Sequence, residues 1–434
     1  MKNQIFSGTL SQNNNKLEII ERFNIAASKK TLVNFKKICG DYHRDYYTNL
    51  IHSYPAKMYG AIAQSLIYVY AKIGDTILDP YCGTGTVLMQ SCLNGINSIG
   101  IDINPLACLI TEVKTTRLNT NKLKKEAEKL LSRISATDDE VETPTFPNVN
   151  FWFEKNIQVD LSKILKEIKS ISNKKYKNFF LICLSSIIRK VSKADPEIKP
   201  PVKTKRMIAS IEKGERADVM REFQNTVNIN IERLEKFCKD SYKTVETKVI
   251  NGDFRDIDIQ DNSIDLVITS PPYIGSQKYV RSTRLENLWL NLSDSELLRE
   301  IDHKTLGTEN IHSTDIVIDK LNISYADKII EEINKKDKER AYLVYKYFYD
   351  MENSIQKIFK ILKKGKYLIL VIGDNTIRGL FIPTHRILSN ILMRSGFIKD
   401  RILKDKIKYR GFMKKRNQTA GVIDYEWILI YKKL

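Results

Sequence analysis

Apolar residues recur at two different spacings in the first quarter of the chain, and each change of spacing marks a new element. Residues 59–70 carry them at helical spacing, and Gly74 is expected to end that helix. A short apolar run of strand type follows at residues 76–78 and leads into a glycine-containing loop. Residues 87–93 again have helical spacing, and residues 98–101 have the pattern of a second strand. This alternation predicts a doubly wound, mostly parallel sheet of the α/β class.

The same rhythm returns in the second half of the chain. Segments with the composition of buried strands occur at residues 249–250, 264–269 and 367–372. Residues 342–362 have the apolar spacing of a helix. Two further strand patterns close the chain, at residues 399–409 and 424–431, with a basic turn between them. This arrangement predicts an antiparallel C-terminal hairpin, which we place at the edge of the sheet.

Two stretches interrupt this rhythm. Residues 119–245 are rich in Lys, Glu, Leu and Ile at helical spacing, which predicts a largely helical insertion. Residues 275–340 are polar and irregular, and we interpret them as a second insertion. The main α/β domain is then expected to comprise residues 46–118 and 246–434, after an N-terminal segment, 1–45, without a recognisable motif.

The charge balance points to a polyanionic partner. The chain carries 71 Lys and Arg against 52 Asp and Glu, a formal net charge of +19. Such a surplus favours nucleic acid, because each phosphate neutralised by Lys or Arg releases counterions. The chain has no apolar run of transmembrane length, and its start lacks the apolar stretch of a signal peptide. The six cysteines form no C-x-x-C pair and the histidines lack metal-ligand spacing, so we expect no metal and a cytoplasmic location.

A glycine-containing loop at residues 79–86 offers the first candidate chemistry. Its glycines allow a sharp turn and a close approach to a ligand, but position 88 is Leu, not the third glycine of a dinucleotide fingerprint. The loop also lacks the Gly-Lys-Ser/Thr ending of a phosphate-binding loop. The next strand ends in Asp102, where a ribose-binding carboxylate is expected, and Asp253 after a third strand is a candidate acceptor for an adenine amine. These features together suit an adenosyl group without a pyrophosphate.

The tetrapeptide Ser270-Pro271-Pro272-Tyr273 is the second candidate site. It directly follows the predicted strand 264–269, so it is expected at the carboxyl edge of the sheet, where ligands bind. Two prolines stiffen the loop and leave the carbonyls of Ser270 and Pro271 free to accept hydrogen bonds. Tyr273 offers a flat ring on which a base can stack.

These segments resemble the amino methyltransferases, which transfer a methyl group from S-adenosylmethionine to cytosine N4 or adenine N6 in DNA. The tetrapeptide resembles their motif IV and residues 79–86 their motif I, while Asp102 and Asp253 are similar to the second and third cofactor motifs. Residues 54–57 resemble motif X, and the order X, I, IV resembles the gamma arrangement. The resemblance implies a Rossmann-like class I methyltransferase fold and covers about half of the chain.

The resemblance also implies which residues act. The residues expected to bind S-adenosylmethionine are Tyr54, Lys57, Asp79, Tyr81, Cys82, Gly83, Thr84, Gly85, Thr86, Asp102, Ile103, Asp253 and Phe254. The residues expected to be catalytic are Ser270, Pro271, Pro272 and Tyr273. In this family Ser at the first position of motif IV is associated mainly with cytosine N4. The C5-cytosine enzymes need a catalytic Cys, typically in a Pro-Cys dipeptide, which this chain lacks.

The expected mechanism follows from the weakness of the nucleophile. The lone pair of an exocyclic amine is delocalised into the ring, and two acceptors, the Ser270 hydroxyl and the Pro271 carbonyl, would localise it toward the methyl group. Because the amine is inaccessible within a duplex, the base is expected to flip out and stack on Tyr273.

Basic residues outside these motifs are candidate phosphate contacts, and one of the two insertions is expected to read the DNA sequence. The candidates are Lys203, Lys205, Arg206, Arg281, Arg284, Arg410, Lys414, Lys415 and Arg416. Double-stranded DNA is therefore the expected partner, with a separately encoded restriction endonuclease as a family-level expectation.

Other functions stay open at this point. An adenine-N6 enzyme would differ only in its product, and an RNA base-amine methyltransferase would usually carry Asp or Asn in place of Ser270. A catalytically inactive DNA-binding module is disfavoured by the intact glycine loop and tetrapeptide. A methyltransferase for a small molecule or a protein amide is disfavoured by the net charge.

Overall fold

The protein is built around one large mixed β-sheet. A computed structural model describes residues 5–29, 31–40, 47–55, 57–138, 140–198, 200–215, 217–275, 278–407 and 423–434. Within these residues an eight-stranded sheet has the order β1-β9-β10-β6-β5-β2-β3-β4, and a separate two-stranded sheet is formed by β7 and β8. The strands are β1 Leu32–Val33, β2 Thr76–Asp79, β3 Asn97–Asp102, β4 Thr247–Asn251, β5 Ile264–Thr269, β6 Leu362–Gly373, β7 Asn375–Ile377, β8 Leu380–Ile382, β9 Phe397–Lys406 and β10 Tyr425–Lys433.

Seventeen α-helices surround this sheet in the described residues. They are α1 Ile5–Lys29, α2 Phe35–Ile38, α3 Gly60–Tyr70, α4 Thr86–Leu93, α5 Pro105–Thr115, α6 Thr120–Ala136, α7 Val149–Trp152, α8 Lys155–Lys169, α9 Lys174–Val191, α10 Lys205–Glu212, α11 Val219–Asp240, α12 Tyr279–Ser282, α13 Arg284–Trp289, α14 Ser295–Lys304, α15 Ser324–Asn334, α16 Lys338–Ile361 and α17 Thr384–Arg394. Two short 3-10 helices lie at Tyr47–Leu50 and Ser313–Asp315. None of the helices described is both long and apolar enough to cross a membrane.

The sheet is doubly wound, as the sequence predicts. Strands β4, β3, β2, β5 and β6 are all parallel. Consecutive residues of each central strand contribute to opposite faces: Ile77 packs in one hydrophobic core, with α3 and α4, and Leu78 in the other, with α16 and α17. This alternation explains why the strands read as continuous apolar runs, since both of their faces are covered by helices.

The C-terminal hairpin is confirmed, but its predicted place at the sheet edge is wrong. Strand β10 pairs antiparallel with both β6 and β9, so it lies inside the sheet. The two-residue strand β1 pairs parallel with β9 and forms the edge instead. Four consecutive residues of β10, from Ile428 to Tyr431, are fully buried, which is the burial expected of an interior strand.

The helical structure predicted for residues 119–245 is confirmed, and its helices pack around a core that they share with part of the α/β domain. Helices α6, α8, α9 and α11 bury one apolar face each against the others. This core continues into the α/β part through Leu106 and Ile110 of α5 and through Trp289 of α13. Helical spacing over residues 119–245 therefore identified a real packing unit, whereas its attachment to α13 depends on contacts that are distant in sequence.

Residues 275–340 contain more regular structure than their polar, irregular sequence indicates, and their role as a second insertion stays a prediction. Four helices, α12 to α15, occupy about half of this segment, and they bury apolar side chains such as Leu288, Leu298 and Ile301. The helices are short, so few apolar positions repeat within each one, and the periodic signal is weak. The N-terminal segment, which carries no recognisable motif, contains the 25-residue helix α1.

Candidate active site at the carboxyl edge of the sheet

The loops that follow β2, β3, β4 and β5 converge on one pocket. It encloses about 700 Å³, counting the space at its open mouth. Nine of the residues predicted from the sequence line it: Tyr54, Tyr81, Gly83, Asp102, Ile103, Asp253, Phe254, Ser270 and Pro272. The carboxyl ends of parallel strands thus bring together the segments that resemble the cofactor motifs and the tetrapeptide.

Tyr81 and Phe254 form an aromatic wall of this pocket. Their ring centres are 6.2 Å apart in an edge-to-face arrangement. The Tyr81 hydroxyl shares a 2.6 Å hydrogen bond with the hydroxyl of Ser354 on α16, which fixes the ring. An aromatic surface beside polar groups is suited to an adenine ring.

Glycine is required at two positions of the first loop for different structural reasons. Gly83 has φ +51°, and a Cβ built on it would meet no atom within 4 Å. Gly85 has φ +68°, and a Cβ there would lie 2.4 Å from Cγ2 of Thr111 on α5. Gly83 therefore keeps the lining of the pocket open, while Gly85 allows the loop to pack against a helix.

The Asp102 carboxylate is fixed by two backbone hydrogen bonds and keeps further acceptor positions unused. Its Oδ2 accepts a 2.9 Å hydrogen bond from the Gly83 backbone N–H, and its Oδ1 accepts one of 2.9 Å from Asn104. Burial raises the pKa of Asp102 to about 6, although these two bonds favour the ionised form. A carboxylate has about four acceptor positions, so about two remain for further donors such as ribose hydroxyls.

Asp79 does not line the pocket but joins the cofactor loop to the tetrapeptide strand. Its Oδ1 accepts a 2.6 Å hydrogen bond from the hydroxyl of Thr269, the last residue of β5. It also accepts a 3.3 Å bond from the Tyr81 backbone N–H. Burial raises the pKa of Asp79 to about 7. The carboxyl group therefore ties the start of the glycine loop to the residue that precedes Ser270.

Asp253 has a partner that the sequence reasoning missed. Arg255 donates from Nε and Nη2 to both of its carboxylate oxygens, over 2.6–3.1 Å, and Arg255 Nη1 lies 2.8 Å from Asp350 of α16. Burial tends to raise the pKa of Asp253, but bonding to Arg255 outweighs it and holds the pKa below its usual value. Most of the acceptor capacity of Asp253 is thus used within the protein, so any bond to an adenine amine would have to use what remains. The D-x-R spacing was a visible signal for this pair, whereas Asp350 has none in the sequence.

Eight predicted residues do not line the pocket: Lys57, Asp79, Cys82, Thr84, Gly85, Thr86, Pro271 and Tyr273. Lys57 donates to the backbone carbonyls of Asn49 and His52, over 3.0 and 2.6 Å. Cys82 is buried beneath the loop, where it packs with Val87 and Leu88. These residues shape the segments around the pocket, and their contact with a cofactor stays a prediction.

A buried lysine links the segment before α3 to the glycine loop. Lys114 of α5 donates from Nζ to the Thr84 carbonyl over 2.9 Å and to Asn49 Oδ1 over 3.1 Å. Burial, together with the charge of Lys57, lowers the pKa of Lys114 well below its usual value. The bond to the Thr84 carbonyl fixes the glycine loop. The sequence gives no signal for this role, because a single Lys in a helix belongs to no motif.

The pocket is also lined by residues that the sequence motifs did not identify: Asn104, Gly252, Arg255, Tyr279, Val280, Lys304, Thr305 and Leu306. Asn104 donates from Nδ2 to the Tyr54 hydroxyl over 3.1 Å and to Thr283 Oγ1 over 3.0 Å. It thereby connects the segment that resembles motif X to the second insertion. Helix α12 and the end of α14 close one side of the pocket.

The tetrapeptide is anchored by the C-terminal strand. The Tyr273 hydroxyl donates to Glu426 Oε1 of β10 over 3.3 Å. A Cβ on Gly373, the residue that pairs with Glu426, would lie 3.1 Å from the Tyr273 ring. Burial, and then the charge of Asp405, raises the pKa of Glu426 to about 7. Ser270 and Pro272 line the pocket, whereas Tyr273 is not part of its lining and contacts β6 and β10.

The arrangement fits S-adenosylmethionine. Gly83 has open space where a side chain would stand, Asp102 has unused acceptor positions, and Tyr81 and Phe254 present an aromatic wall. Ser270 opens into the same pocket, so a donor bound there lies beside the tetrapeptide. No group of His, Cys, Asp and Glu in the described part of the chain is arranged to hold a metal ion.

The predicted phosphate contacts are spread over several places. Lys205 and Arg206 are exposed at the start of α10, but Arg206 pairs with Asp195 and Glu197 over 3.0 and 3.1 Å. Arg281 is exposed on α12, beside the pocket, and Arg284 is half-buried at the start of α13. Four predicted contacts lie outside the described residues: Arg410, Lys414, Lys415 and Arg416.

Comparisons with known proteins agree with this geometry. The model of a family of N6 and N4 methyltransferases, described as DNA methylase, matches residues 6–113 and 264–434. The Type II methyltransferase M.MvaI of Kocuria varians is 27% identical over 381 residues, which cover 80% of this chain and 81% of that protein. The Type II methyltransferase M.BsoBI of Geobacillus stearothermophilus is 25% identical, over 77% and 76% of the two chains. A tRNA (guanine(10)-N2)-dimethyltransferase of Methanothermobacter thermautotrophicus matches over 52 residues at 40% identity, which is 12% of this chain and 16% of that protein.

Proposed function

Because the chain belongs to the family of N6 and N4 DNA methylases, which use S-adenosylmethionine, we propose that it methylates N4 of cytosine in double-stranded DNA. The observation that carries the proposal is that Ser270 and Pro272 line the same pocket as Gly83 and Asp102. A base amine that enters at the tetrapeptide would therefore meet the cofactor directly. The choice of cytosine rests on Ser270, where the resemblance associates Asp or Asn mainly with adenine.

S-adenosylmethionine, when bound, would supply a sulfonium methyl group: the N–C bond would form as the S–C bond breaks, S-adenosylhomocysteine would leave, and the amine proton would pass to solvent water. Asp102 would hold the ribose hydroxyls, and the Tyr81–Phe254 wall would pack against the adenine. The Ser270 hydroxyl and the Pro271 carbonyl would accept the N–H bonds of the amine and localise its lone pair. Positioning and electrostatics of this kind require no covalent enzyme intermediate.

The Tyr273 ring is proposed to stack on the flipped base. Its hydroxyl is held by Glu426 and its edge by the backbone at Gly373, so the orientation of the ring is set by the C-terminal strand. A fixed ring lowers the entropy lost when the base is bound.

We further propose that the protein is the modification enzyme of a restriction–modification pair. The two relatives described above, M.MvaI and M.BsoBI, are named Type II methyltransferases, which supports this role. A companion endonuclease would be a separate chain. The helical insertion, which the family model does not match, is the proposed region of sequence recognition.

A transfer assay tests the substrate class. The wild-type protein is incubated with methyl-labelled S-adenosylmethionine and either unmodified duplex DNA or structured RNA. We expect label in DNA, and its loss in Ser270→Ala with retained cofactor binding. Label confined to RNA, or transfer undiminished by Ser270→Ala, would refute the proposed substrate or the proposed role of the tetrapeptide.

A further inference from the structure

A small aromatic and basic surface lies on the helical insertion, and we call it the insertion patch: Phe151, Trp152, Lys193 and Lys203. The Phe151 side chain is 50% exposed. The Lys203 ammonium lies 3.5 Å from the centre of the Phe151 ring, and Trp152 packs edge-to-face on the same ring at 4.7 Å. The backbone N–H of Lys193 donates to the Trp152 carbonyl over 2.7 Å, which joins the two segments of the patch.

The patch has an excess of positive charge. Burial and the neighbouring Lys193 lower the pKa of Lys203. The Glu154 carboxylate is 4.0 Å from Lys193, and within the described residues Lys203 forms no ion pair. Lys193 pairs with this one carboxylate, and Lys203 pairs with none among the described residues, so the patch keeps a net positive charge that favours the binding of an anion.

Nearby basic residues differ in this respect. Arg206 is held by Asp195 and Glu197, and Asp195 also accepts from the Thr204 hydroxyl over 2.8 Å. Its charge is therefore neutralised within the loop. Lys203 and Arg206 are both candidate phosphate contacts in the sequence, but only Arg206 has its charge neutralised by carboxylates in the described part of the chain.

The patch is attached to the wall of the pocket. Arg189 of α9 donates to the Ser282 carbonyl of α12 over 3.5 Å and also to the Ile198 carbonyl, in the loop that leads to Lys203. Val280, two residues before Ser282, lines the pocket. Trp289 of α13 packs on Phe153, two residues after Phe151, at 5.2 Å between ring centres. The patch and the rim of the pocket thus belong to one packed unit.

We propose that the insertion patch binds the DNA backbone beside the flipped nucleotide, with Lys193 and Lys203 on phosphates and the Phe151 ring supporting Lys203. This inference rests on the proposed function, because a base can reach Ser270 only if its own strand runs past the rim of the pocket. Phosphate contacts fix the register of the duplex without reading its sequence. The net charge of +19 supports the same partner.

The test compares DNA binding by Lys193→Ala/Lys203→Ala, by Phe151→Leu and by Lys72→Ala with that of the wild-type protein. Lys72 is an exposed lysine between α3 and β2, at the opposite edge of the sheet, and serves as the matched control. Binding of a fluorescent mixed-sequence duplex is measured against salt concentration, with S-adenosylhomocysteine present. Cofactor binding and thermal unfolding of each variant report whether the fold is intact.

We expect the double lysine variant to bind DNA several-fold more weakly and to lower the salt slope by about 1.8, since each lost phosphate contact removes about 0.9. Phe151→Leu should weaken binding less and leave the slope nearly unchanged, and Lys72→Ala should behave as wild type. An unchanged slope in the double variant would overturn the inference even if the wild-type protein methylates DNA. If the wild type transfers no methyl group but the salt slope of DNA binding is still lower in the double variant, the proposed function is refuted, whereas phosphate binding by the insertion patch is supported.

Discussion

Asp102 shows how one carboxylate can be both fixed and available. Its two backbone donors orient it toward the pocket, and its burial beside the glycine loop makes the ionised form costly, with a pKa of about 6. A ribose hydroxyl would add a donor to the ionised form. Cofactor affinity should therefore depend on the protonation of this residue.

The first prediction is that S-adenosylmethionine binding weakens as the pH falls below about 6. The folded pKa is raised above the usual value, so Asp102 takes up a proton in this range and loses acceptor capacity. The affinity should approach a loss of about tenfold per pH unit well below that pKa. Calorimetric titration at several pH values measures this. Asp102→Asn should bind weakly with little pH dependence near 6, while Asp79→Asn should keep the wild-type inflection there.

The second prediction separates the two loop glycines. Gly85→Ala should destabilise the fold by about 2–4 kcal/mol, because it combines a positive φ with a methyl group 2.4 Å from Thr111. Gly83→Ala carries only the conformational cost, and its methyl group enters open space, so it should mainly weaken cofactor binding. Denaturant unfolding and cofactor titration of both variants distinguish these effects. Equal losses of stability in the two variants would contradict the assignment.

At the scale of elements, the site depends on strands that are far apart in sequence. Thr269 at the end of β5 binds Asp79 at the end of β2, and Tyr273 after β5 binds Glu426 on β10. The first contact aligns the cofactor loop with the tetrapeptide. The second makes the C-terminal strand part of the proposed base-binding site.

The third prediction concerns this C-terminal contact. Tyr273→Phe and Glu426→Ala should each reduce the methylation rate, and the double variant should lose little more than either one. A double-mutant cycle should give a coupling of about 0.5–1.5 kcal/mol, which is the usual net contribution of one hydrogen bond. Glu426→Gln, which keeps an acceptor, should retain most activity. Fully additive losses would show that the two residues act independently.

The elements of the sheet could be predicted because each strand and helix carries its own periodic pattern. The β2–loop–α4–β3 unit and the tetrapeptide after β5 were found in this way, and parallel strands bring their carboxyl ends together. The pairing of Asp253 with Arg255 had a signal in the D-x-R spacing, whereas the contact of Arg255 with Asp350 could not be derived, since it depends on packing between distant segments. The edge position of β1 was missed for a similar reason, because two residues are too few for a pattern.

For the whole molecule, the attachment of the helical insertion matters most. Trp289 is 1% exposed and packs edge-to-face on Phe146 and Phe153, at 6.0 and 5.2 Å between ring centres. These contacts connect the insertion, the second insertion and the pocket wall. A DNA duplex bound by the insertion would thereby be placed relative to the tetrapeptide.

The fourth prediction is that Trp289→Ala destabilises the protein by about 3–5 kcal/mol, as expected for a large buried aromatic residue. Where the variant stays folded, it should impair DNA methylation more than cofactor binding, since Trp289 packs on Phe146 and Phe153 and does not line the pocket. Trp289→Phe serves as the conservative control and should lose less stability. Unfolding curves and separate assays for transfer and cofactor binding provide the comparison.

The identity of the methylated base decides whether the Ser270 site acts on cytosine N4 in DNA. Duplex DNA treated with the wild-type protein and S-adenosylmethionine is digested to nucleosides and analysed by mass spectrometry, with Ser270→Ala as the control. The account predicts N4-methylcytosine with the wild-type protein and its absence with the variant. N6-methyladenine as the product would contradict the assignment of cytosine to the Ser270 site, and the absence of any methylated base would contradict the proposed activity on DNA.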